Sequence, residues 1–202
     1  MGTEQKIVAW VFILASTFCW SQERTSYFKP SLLRASATIA PTRFYVQNTT
    51  VAFINGFVEY ILEEKISVRG EGFVMVPNSA LIMTNTPEIF PRNCNSWFAG
   101  FGYHLGKKNW KLDVHAAPGI LAAELAKNYN PNNVPYSYQW SVNPSYLIKI
   151  GTTFYFSKVF HFFAELNYSD AWARKTPYAS LSLKQYGISA GLGFHLVTKK
   201  TP

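Results

Sequence analysis

The sequence predicts an all-β protein, an eight-stranded antiparallel up-and-down barrel that crosses a membrane with its strands. Three observations support this prediction. The chain of 202 residues is 48% hydrophobic and 17% aromatic but only 15% charged, which is sparse in charge for a soluble surface. Beyond the N-terminus, no apolar stretch is long enough for a transmembrane helix. From Leu33 onward, apolar and polar side chains alternate with a period of two in eight separate segments.

The net charge of +8 does not by itself indicate a nucleic-acid partner. The 19 lysines and arginines are scattered, and no basic run is longer than two residues. The sequence therefore shows no basic patch of the kind that contacts phosphates along a nucleic acid. We expect no nucleic-acid partner and no cofactor.

Residues 1–21 are predicted to be a cleaved signal peptide. The run Ile7–Phe18 is apolar but too short to span a bilayer, and small residues stand at the −3 and −1 positions of a cut after Ser21. We expect residues 22–31 to form a periplasmic N-terminal segment. Cys94 is then the only cysteine of the mature chain, so no intrachain disulfide can form.

The alternating segments are predicted to be the eight strands of a barrel spanning residues 32–197, with a periplasmic tail over 198–202. In chain order they are 32–43, 51–62, 66–77, 97–105, 110–122, 145–156, 160–169 and 184–197. Their connections alternate in length. Tight turns are predicted at 63–65, 106–109 and 157–159, and long loops at 78–96, 123–144 and 170–183, with an intermediate connection at 46–50. This asymmetry is typical of outer-membrane barrels, which have short periplasmic turns and long external loops.

Each of the first three segments has one apolar row and one row that carries ionisable side chains. In the first segment, Leu33 and Ile39 stand on the row opposite Arg34. In the second segment, Glu59 stands opposite the apolar row, and in the third segment Arg69 and Glu71 do the same. A strand with two such different faces separates two different environments.

The fifth segment shows the two-residue period most clearly. Its apolar row begins at Trp110 and its polar row contains Lys111, Asp113 and His115. The polar rows of the other segments are assigned in the same way: they carry His104 in the fourth, Lys149 in the sixth, His161 and Glu165 in the seventh, and His195 in the eighth.

We assign the apolar row to the outside, facing lipid. The alternative is a soluble barrel that carries lipid inside and turns its charged row to water. The apolar row holds no charge, as the cost of about 2–4 kcal/mol for a basic side chain at the bilayer midplane requires, and the other row is rich in small residues. Aromatic residues at the strand ends are predicted to form two interfacial girdles. Those near the short turns are Trp110, Phe156, Phe160 and Phe194, and those near the long loops are Trp97, Tyr146, Tyr168 and Tyr186.

The inner row balances four cations against four anions and also contains all four histidines. Because an eight-stranded barrel is filled by its own side chains, we expect these residues to form a structural lumen network that closes the interior. The predicted network consists of Arg34, Glu59, Arg69, Glu71, Lys111, Asp113, His115, Lys149, His161 and Glu165. The histidines lie on four different strands with no i, i+2 pair, which argues against a metal site.

Two prolines interrupt the pattern. Pro41 lies near the end of the first segment and Pro118 lies inside the fifth. Because proline has no backbone N–H to donate, we expect a β-bulge or a strand end at each position.

The chain resembles the small eight-stranded outer-membrane barrels, the OmpA-type membrane domain and the OmpX-like proteins, over about residues 32–197. The most specific part is the last strand, Tyr186 to Phe194, which looks like the C-terminal strand by which the assembly machinery recognises such barrels. The resemblance implies an integral protein of the outer membrane of a Gram-negative bacterium, in contact with its lipid and lipopolysaccharide. It implies structural, adhesive or partner-binding roles and carries over no catalytic residue.

The leading functional hypothesis is a non-enzymatic barrel with a plugged lumen that presents the loops 78–96 and 123–144. The second is an accessory subunit that docks on a larger outer-membrane complex through small residues of its outer wall, Ala52, Gly56, Gly70 and Gly72. A narrow gated channel and a lipid-modifying barrel enzyme are weaker alternatives. No Ser-His-Asp arrangement can be assembled from the sequence.

Overall fold

The structure is a computed structural model that describes residues 26–77, 82–83, 89–127, 137–173 and 181–198. The predicted signal peptide lies outside these ranges, as do the centres of the long loops. Within the described ranges, no helix is long and apolar enough to cross a membrane.

Eight long antiparallel strands form a closed barrel. They are β1 (Leu32–Phe44), β2 (Thr49–Ile61), β3 (Ile66–Met75), β4 (Ile89–Leu105), β5 (Trp110–Lys127), β6 (Ser137–Tyr155), β7 (Phe160–Ala173) and β8 (Gln185–Val197). Each strand pairs with the next along the chain, and β1 pairs with both β2 and β8, which closes the sheet on itself. Two short strands, Ile82–Met83 and Leu181–Ser182, pair with β2 and β7. The predicted fold class is confirmed.

The predicted strand bounds agree with the structure at the turn end of the barrel and are wrong at the loop end. β4 begins at Ile89 instead of 97, and β6 begins at Ser137 instead of 145. β5 continues to Lys127 and β7 to Ala173. Parts of all three predicted long loops are therefore strand. The alternation is weaker in these extensions, because small or polar residues such as Asn93, Ala122 and Glu124 stand on the outer row between the apolar ones.

The bulges or strand ends expected at the two prolines are also absent. Pro41 pairs with Ala52 inside β1, and Pro118 pairs with Tyr146 inside β5, both without a shift of register. Pro118 is exposed on the outer face. Opposite it, the ladder between β4 and β5 skips two pairs and resumes in the same register. The barrel thus accommodates the missing N–H by a local gap in the ladder. A register shift occurs elsewhere in β4, between Pro91 and Asn93.

The seam between β1 and β8 contains a longer gap. Residues 32–35 pair with 194–197 and residues 42–44 pair with 185–187, but the ladder is interrupted between these two blocks. Side-chain hydroxyls bridge part of the gap. Thr38 Oγ1 donates to the carbonyl of Ala190 at 2.7 Å, and Ser36 Oγ donates to the carbonyl of Leu192 at 3.4 Å.

The segment before β1 folds against the turn end of the barrel. The backbone N–H of Tyr27 donates to Asn109 Oδ1 at 2.8 Å, and that of Ser31 donates to the carbonyl of Ile61 at 2.8 Å. Between these anchors, Phe28 is 6% exposed and packs with Leu32, Ile61 and Tyr155 in a small apolar cluster. The turn-end mouth is therefore covered by the chain's own N-terminal segment.

Candidate functional site

The outer wall of the barrel is apolar between its two ends. Large hydrophobic side chains alternate outward along the strands, with Phe101 at 66% exposure and Ile39 at 67%. Between the two predicted girdles, the described strands turn no charged side chain outward. In water such a surface would be costly, because exposed apolar area of this extent is unfavourable. Lipid is the environment that fits it.

The eight predicted girdle residues all lie on this outer wall. Each is between 36% and 55% exposed. Tyr186 stands directly opposite Tyr168, whose ring lies 6.1 Å from that of Tyr146, so these three form a continuous arc. At the other end, the rings of Trp110 and Phe154 lie 5.5 Å apart. Trp97 stands opposite Ile120, ten residues along β5 from Trp110. At about 3.4 Å per residue and a tilt of about 40°, this separates the girdles by roughly 26 Å, close to the apolar height of outer-membrane barrels.

The sheet continues beyond the loop-end girdle. β5 runs seven residues past Ile120, which projects the sheet by about 18 Å along the barrel axis. The outer face of this projection carries exposed apolar side chains on β6, Trp140 at 54% and Val142 at 67%. In the strand register both side chains lie beyond Pro144, which pairs with Ile120 at the level of Trp97.

The turn half of the interior contains a group of ionisable side chains centred on Arg34. Its Nε donates to Glu59 Oε2 at 2.5 Å, and both of its terminal nitrogens lie 3.3 Å from Asp113 Oδ2. The guanidinium also donates to Thr153 Oγ1 at 2.9 Å and to Tyr155 Oη at 3.1 Å. Arg34, Glu59 and Asp113 have no exposed side-chain surface. Such buried charges are tolerated only because they are paired and hydrogen-bonded.

A second group lies next to the first and is centred on Arg69. It makes two parallel hydrogen bonds to Glu165, at 2.6 and 2.9 Å, and a third to Glu71 at 3.1 Å. Lys149 Nζ bridges the same two carboxylates at 2.5 and 2.6 Å. Glu59 Oε2 lies 3.8 Å from Arg69 Nη1 and so connects the two groups. We call the seven residues together the charge network: Arg34, Glu59, Arg69, Glu71, Asp113, Lys149 and Glu165.

The structure places Lys111 apart from the charge network, although its inward orientation is as predicted. Its Nζ donates to the carbonyl of Gly106 at 3.0 Å and lies 4.4 Å from the centre of the Phe28 ring. The prediction that Lys111 belongs to the lumen network is therefore wrong, because its ammonium contacts a carbonyl and a ring and forms no salt bridge with a carboxylate of the charge network. The two-residue period gives the face of a side chain but not which inward residues are near enough to pair.

The four histidines do not form one group. His104 joins the charge network, whereas His161 and His195 face each other with their Nδ1 atoms 3.3 Å apart, next to the Tyr155 ring. His115 Nε2 lies 3.4 Å from Arg69 Nη1. Among the described residues, no group of three or more histidine, cysteine, aspartate or glutamate side chains is arranged to hold a metal ion.

One arrangement was missed at the sequence level. Ser67 Oγ lies 2.9 Å from His104 Nε2, and His104 Nδ1 lies 2.7 Å from Asp113 Oδ1. This is the connectivity of a Ser-His-Asp triad. The surroundings differ from those of a nucleophile, because the hydroxyl of Ser67 donates to Glu59 and Arg34 contacts Asp113. All three triad side chains are at most 1% exposed. A glycine makes room for this packing: a Cβ on Gly102 would meet Ser67 Oγ at 2.3 Å.

The loop half of the interior contains a large apolar cluster beside a smaller set of buried polar side chains, among them Ser141, Asn143, Ser145 and Gln185. In the apolar cluster, the rings of Phe53, Phe73 and Phe98 make edge contacts about 6 Å apart. The members are Ala40, Phe44, Val51, Phe53, Phe73, Met75, Cys94, Phe98, Leu121, Ala123, Leu125, Leu147, Ala171 and Leu183. We call this the apolar plug. Cys94 is a free, buried thiol inside it. The two-residue period does not predict this cluster, because it separates the rows by their apolar and polar members and so does not mark the apolar side chains of the inner row.

A shallow groove crosses the outer wall over the small residues of β1 to β3. It measures about 690 Å³ and is lined by Ala35, Ala37, Gly56, Gly70, Gly72 and Trp97, among others. The predicted small-residue stripe is therefore present in part. Ala52 does not line the groove, because it lies four residues beyond Gly56 and pairs with Pro41. A Cβ on Gly70 would meet nothing within 4 Å, so internal packing does not demand a glycine there.

Comparisons with known proteins agree with this geometry. No protein-family model and no curated protein sequence matches the chain. Among solved structures, the Neisserial surface protein A (NspA) matches with a TM-score of 0.54 and 12% identity, over 81% of this chain and 95% of that one. The N-terminal β-barrel domain of Pseudomonas aeruginosa OprF matches with a TM-score of 0.50 and 14% identity, over 83% and 99%. The outer membrane protein OprG of the same organism gives 0.50 and 10%, over 83% and 97%.

At these identities the likeness concerns the fold. The closed barrel, the uncharged apolar wall and the aromatic girdles are observations on this chain, and they place it in the outer membrane, where the sequence predicted it. The chain has the fold of the small eight-stranded outer-membrane β-barrels.

Proposed function

We propose that the protein is a non-conducting, non-enzymatic barrel of the Gram-negative outer membrane that presents its loop end to a partner or to the exterior. Its wall contacts outer-membrane lipid and, in the outer leaflet, lipopolysaccharide. The observation that carries the proposal is the filling of the interior in three layers. These are the Phe28 cluster at the turn end, the charge network, and the apolar plug at the loop end.

The apolar plug supports the absence of conduction. An ion that enters from the loop end meets phenylalanine and leucine side chains, and phenylalanines 53, 73 and 98 are at most 5% exposed. Moving a charge through such a layer costs several kcal/mol unless polar groups replace its water. A gated path through the charge network alone would end at this layer.

Conduction is measured directly in planar bilayers. We expect the purified full chain to give no single-channel steps at 1 M KCl. Replacement of Phe73 and Phe98 by serine is the matched comparison, because it opens the apolar plug and keeps all seven residues of the charge network. It removes one ring near that network, since the centre of the Phe73 ring lies 5.6 Å from Lys149 Nζ. Discrete, reproducible steps from the unaltered chain would contradict the proposal.

The projecting sheet supports binding at the loop end. Trp140 and Val142 are exposed beyond the level of the loop-end girdle, where we expect the outer wall to leave the lipid. Aromatic side chains in such positions supply large contact area at small entropic cost. Much of the predicted loops 78–96 and 123–144 lies outside the described residues, so the proposal relies on these two β6 side chains.

The Ser67-His104-Asp113 arrangement favours one alternative, a lipid-modifying enzyme. Two contacts weigh against it. The Ser67 hydroxyl donates to Glu59, not to the histidine that would have to accept its proton, and Glu59 Oε1 itself lies 3.1 Å from His104 Nε2. A nucleophile needs a base free to take its proton and a path for substrate. We therefore assign the three residues to the folded interior.

Labelling with a fluorophosphonate probe distinguishes a lipid-modifying enzyme from a structural role of Ser67, His104 and Asp113. We expect no covalent labelling of the folded barrel in detergent or in lipid. Labelling that disappears in Ser67→Ala but persists in Ser36→Ala, a second inward serine, would support the enzyme instead.

The groove over Gly70 favours a second role, as an accessory subunit of a larger outer-membrane complex. Small residues allow close backbone approach between membrane-embedded surfaces. Gly70→Leu fills the groove, whereas Ala164→Leu adds the same bulk on the outer face of β7. We expect a complex extracted in mild detergent to be lost only in Gly70→Leu. Loss in both variants, or in neither, would reject this role.

A further inference from the structure

The turn end of the barrel contains a second cavity, separate from the groove. It measures about 590 Å³ and lies between the N-terminal segment, the β2–β3 turn and the β4–β5 turn. Four lysines and one carboxylate line it, namely Lys29, Lys65, Lys107, Lys111 and Glu64. Three separate chain segments thus bring a surplus of positive charge to one concave surface.

Lys111 gives this cavity a fixed cation. Its side chain is 8% exposed, and its ammonium is held between the Gly106 carbonyl, at 3.0 Å, and the face of the Phe28 ring, at 4.4 Å. An ammonium has three N–H donors, and the hydrogen bond to Gly106 uses one of them. The other three lysines are exposed at the rim. The arrangement is one buried cation with three mobile cations around it.

The cavity adjoins the lipid-facing wall. Leu105 lines it, yet this side chain belongs to the outer row and is 41% exposed. Ile66, its neighbour on the same wall, is 39% exposed. A ligand with an anionic head and an apolar tail can place the head among the lysines and the tail along this wall. In an outer-membrane barrel, the short turns lie at the periplasmic side, so the adjoining lipid belongs to the inner leaflet.

We propose that this cavity binds the phosphate headgroup of an anionic phospholipid of the inner leaflet. Lysine ammonium groups donate charge-assisted hydrogen bonds to phosphate oxygens, and a concave surface with a net positive lining concentrates such anions. The position of Leu105 distinguishes a lipid from free phosphate, because a soluble anion has no use for an apolar side to the cavity. The proposal is independent of the function assigned to the loop end.

Native mass spectrometry of the purified full chain in detergent tests the proposal, with phosphatidylglycerol as probe and phosphatidylcholine as the uncharged control. The variant K65Q/K107Q removes two cations from the rim. The matched control K158Q/K184Q removes two cations elsewhere, since Lys158 lies in the β6–β7 turn and Lys184 precedes β8, and neither lines the cavity. A heat-dependent gel shift establishes that all three proteins are folded.

We expect the unaltered chain and K158Q/K184Q to retain one phosphatidylglycerol, and K65Q/K107Q to retain it at least tenfold less. Phosphatidylcholine is not retained. Equal retention by K65Q/K107Q and K158Q/K184Q overturns the proposal. Displacement of the lipid by millimolar inorganic phosphate shows a soluble anion site and overturns the lipid assignment. An acidic protein that co-purifies and is lost only in K65Q/K107Q overturns it in favour of a protein partner.

Discussion

The two halves of the barrel interior are filled by different kinds of side chain. Toward the short turns, seven charged residues satisfy one another, with Arg34 and Arg69 each contacting more than one carboxylate. Toward the long loops, the inward positions carry no charge pairs of this kind; most are phenylalanine, leucine and alanine, beside uncharged polar residues such as Ser141 and Asn143. β3 shows the change within one strand, since Arg69 and Glu71 are followed two residues later by Phe73.

The difference shows what each half contributes to stability. Charged partners depend on one another, so a single substitution leaves an uncompensated charge in a low-dielectric interior. Apolar neighbours depend only on contact area and shape, so a substitution costs the removed surface and the cavity it leaves. The charge network is therefore more sensitive to the removal of one member than the apolar plug.

Arg69→Met gives the largest expected effect. It leaves Glu165 and Glu71 without the guanidinium that lies 2.6 and 3.1 Å from them, and we expect a loss of about 3–5 kcal/mol in the free energy of unfolding. Urea titration in phospholipid vesicles measures it. The double variant Arg69→Met/Glu165→Gln removes one of the stranded charges and recovers part of the loss. If the single variant loses less than about 1 kcal/mol of unfolding free energy, the charge network is not more sensitive to a single substitution than the apolar plug.

Phe98→Ala tests the apolar half. Phe98 is 4% exposed and its ring lies 6.1 Å from that of Phe73, so truncation leaves a cavity and costs about 3 kcal/mol. The same urea titration applies. Phe98→Leu keeps most of the volume and is expected to cost about 1 kcal/mol. Similar losses in the two variants would show that the apolar plug is loosely packed.

Asn55 lies at the border between the halves. Its Nδ2 donates to Glu71 Oε1 at 2.8 Å and to the carbonyl of Gly72 at 3.2 Å. Asn55→Ala removes a hydrogen bond to a charged group, for which we expect a loss of about 2 kcal/mol. Asn55→Asp keeps the size but adds a negative charge next to Glu71, so it is expected to lose more. The opposite order would contradict the hydrogen bond from Asn55 to Glu71.

Lys111→Leu gives the smallest expected effect, about 1 kcal/mol or less, because its ammonium contacts one carbonyl and one ring. Lys149→Leu is the matched control, since Lys149 Nζ contacts Glu71 and Glu165 at 2.5 and 2.6 Å. We expect that control to lose at least three times as much in the same denaturation measurement. Equal losses of stability would show that Lys111 belongs to the charge network, as the sequence predicted.

Strand order and facing were predictable because lipid imposes a two-residue period. All eight segments have the predicted facing, because between the girdles the outer row of each is apolar and uncharged; Arg43 stands on the outer row of β1 only at the girdle level, opposite Tyr186. The loop-end extensions were not predictable in the same way. In β5 beyond Leu121 the sequence reads Ala122, Ala123, Glu124, and outside the membrane both faces of a strand tolerate such residues.

The pairing inside the lumen was only partly predictable. Arg34 stands directly opposite Glu59, and Glu59 stands directly opposite Arg69. These two pairs of the charge network therefore follow from the strand register of two consecutive hairpins. His104 opposite Asp113 follows in the same way from the β4–β5 hairpin. The contact between Arg69 and Glu165 crosses the lumen between strands that are not neighbours. Strand periodicity carries no information on such contacts, because they depend on closure and tilt.

The interrupted ladder between β1 and β8 bears on how the barrel forms. Every other pair of long strands is joined by a hairpin or a loop, but this pair joins the two ends of the described chain, so its closure has the highest loop entropy to overcome. The middle of this strand pair also forms no backbone ladder pairs. There, Thr38 and Ser36 supply side-chain hydrogen bonds to β8 instead. We therefore expect β1 and β8 to meet last, and we expect hydrogen exchange to begin earliest at those amides of residues 188–193 that point toward β1 and not toward β7.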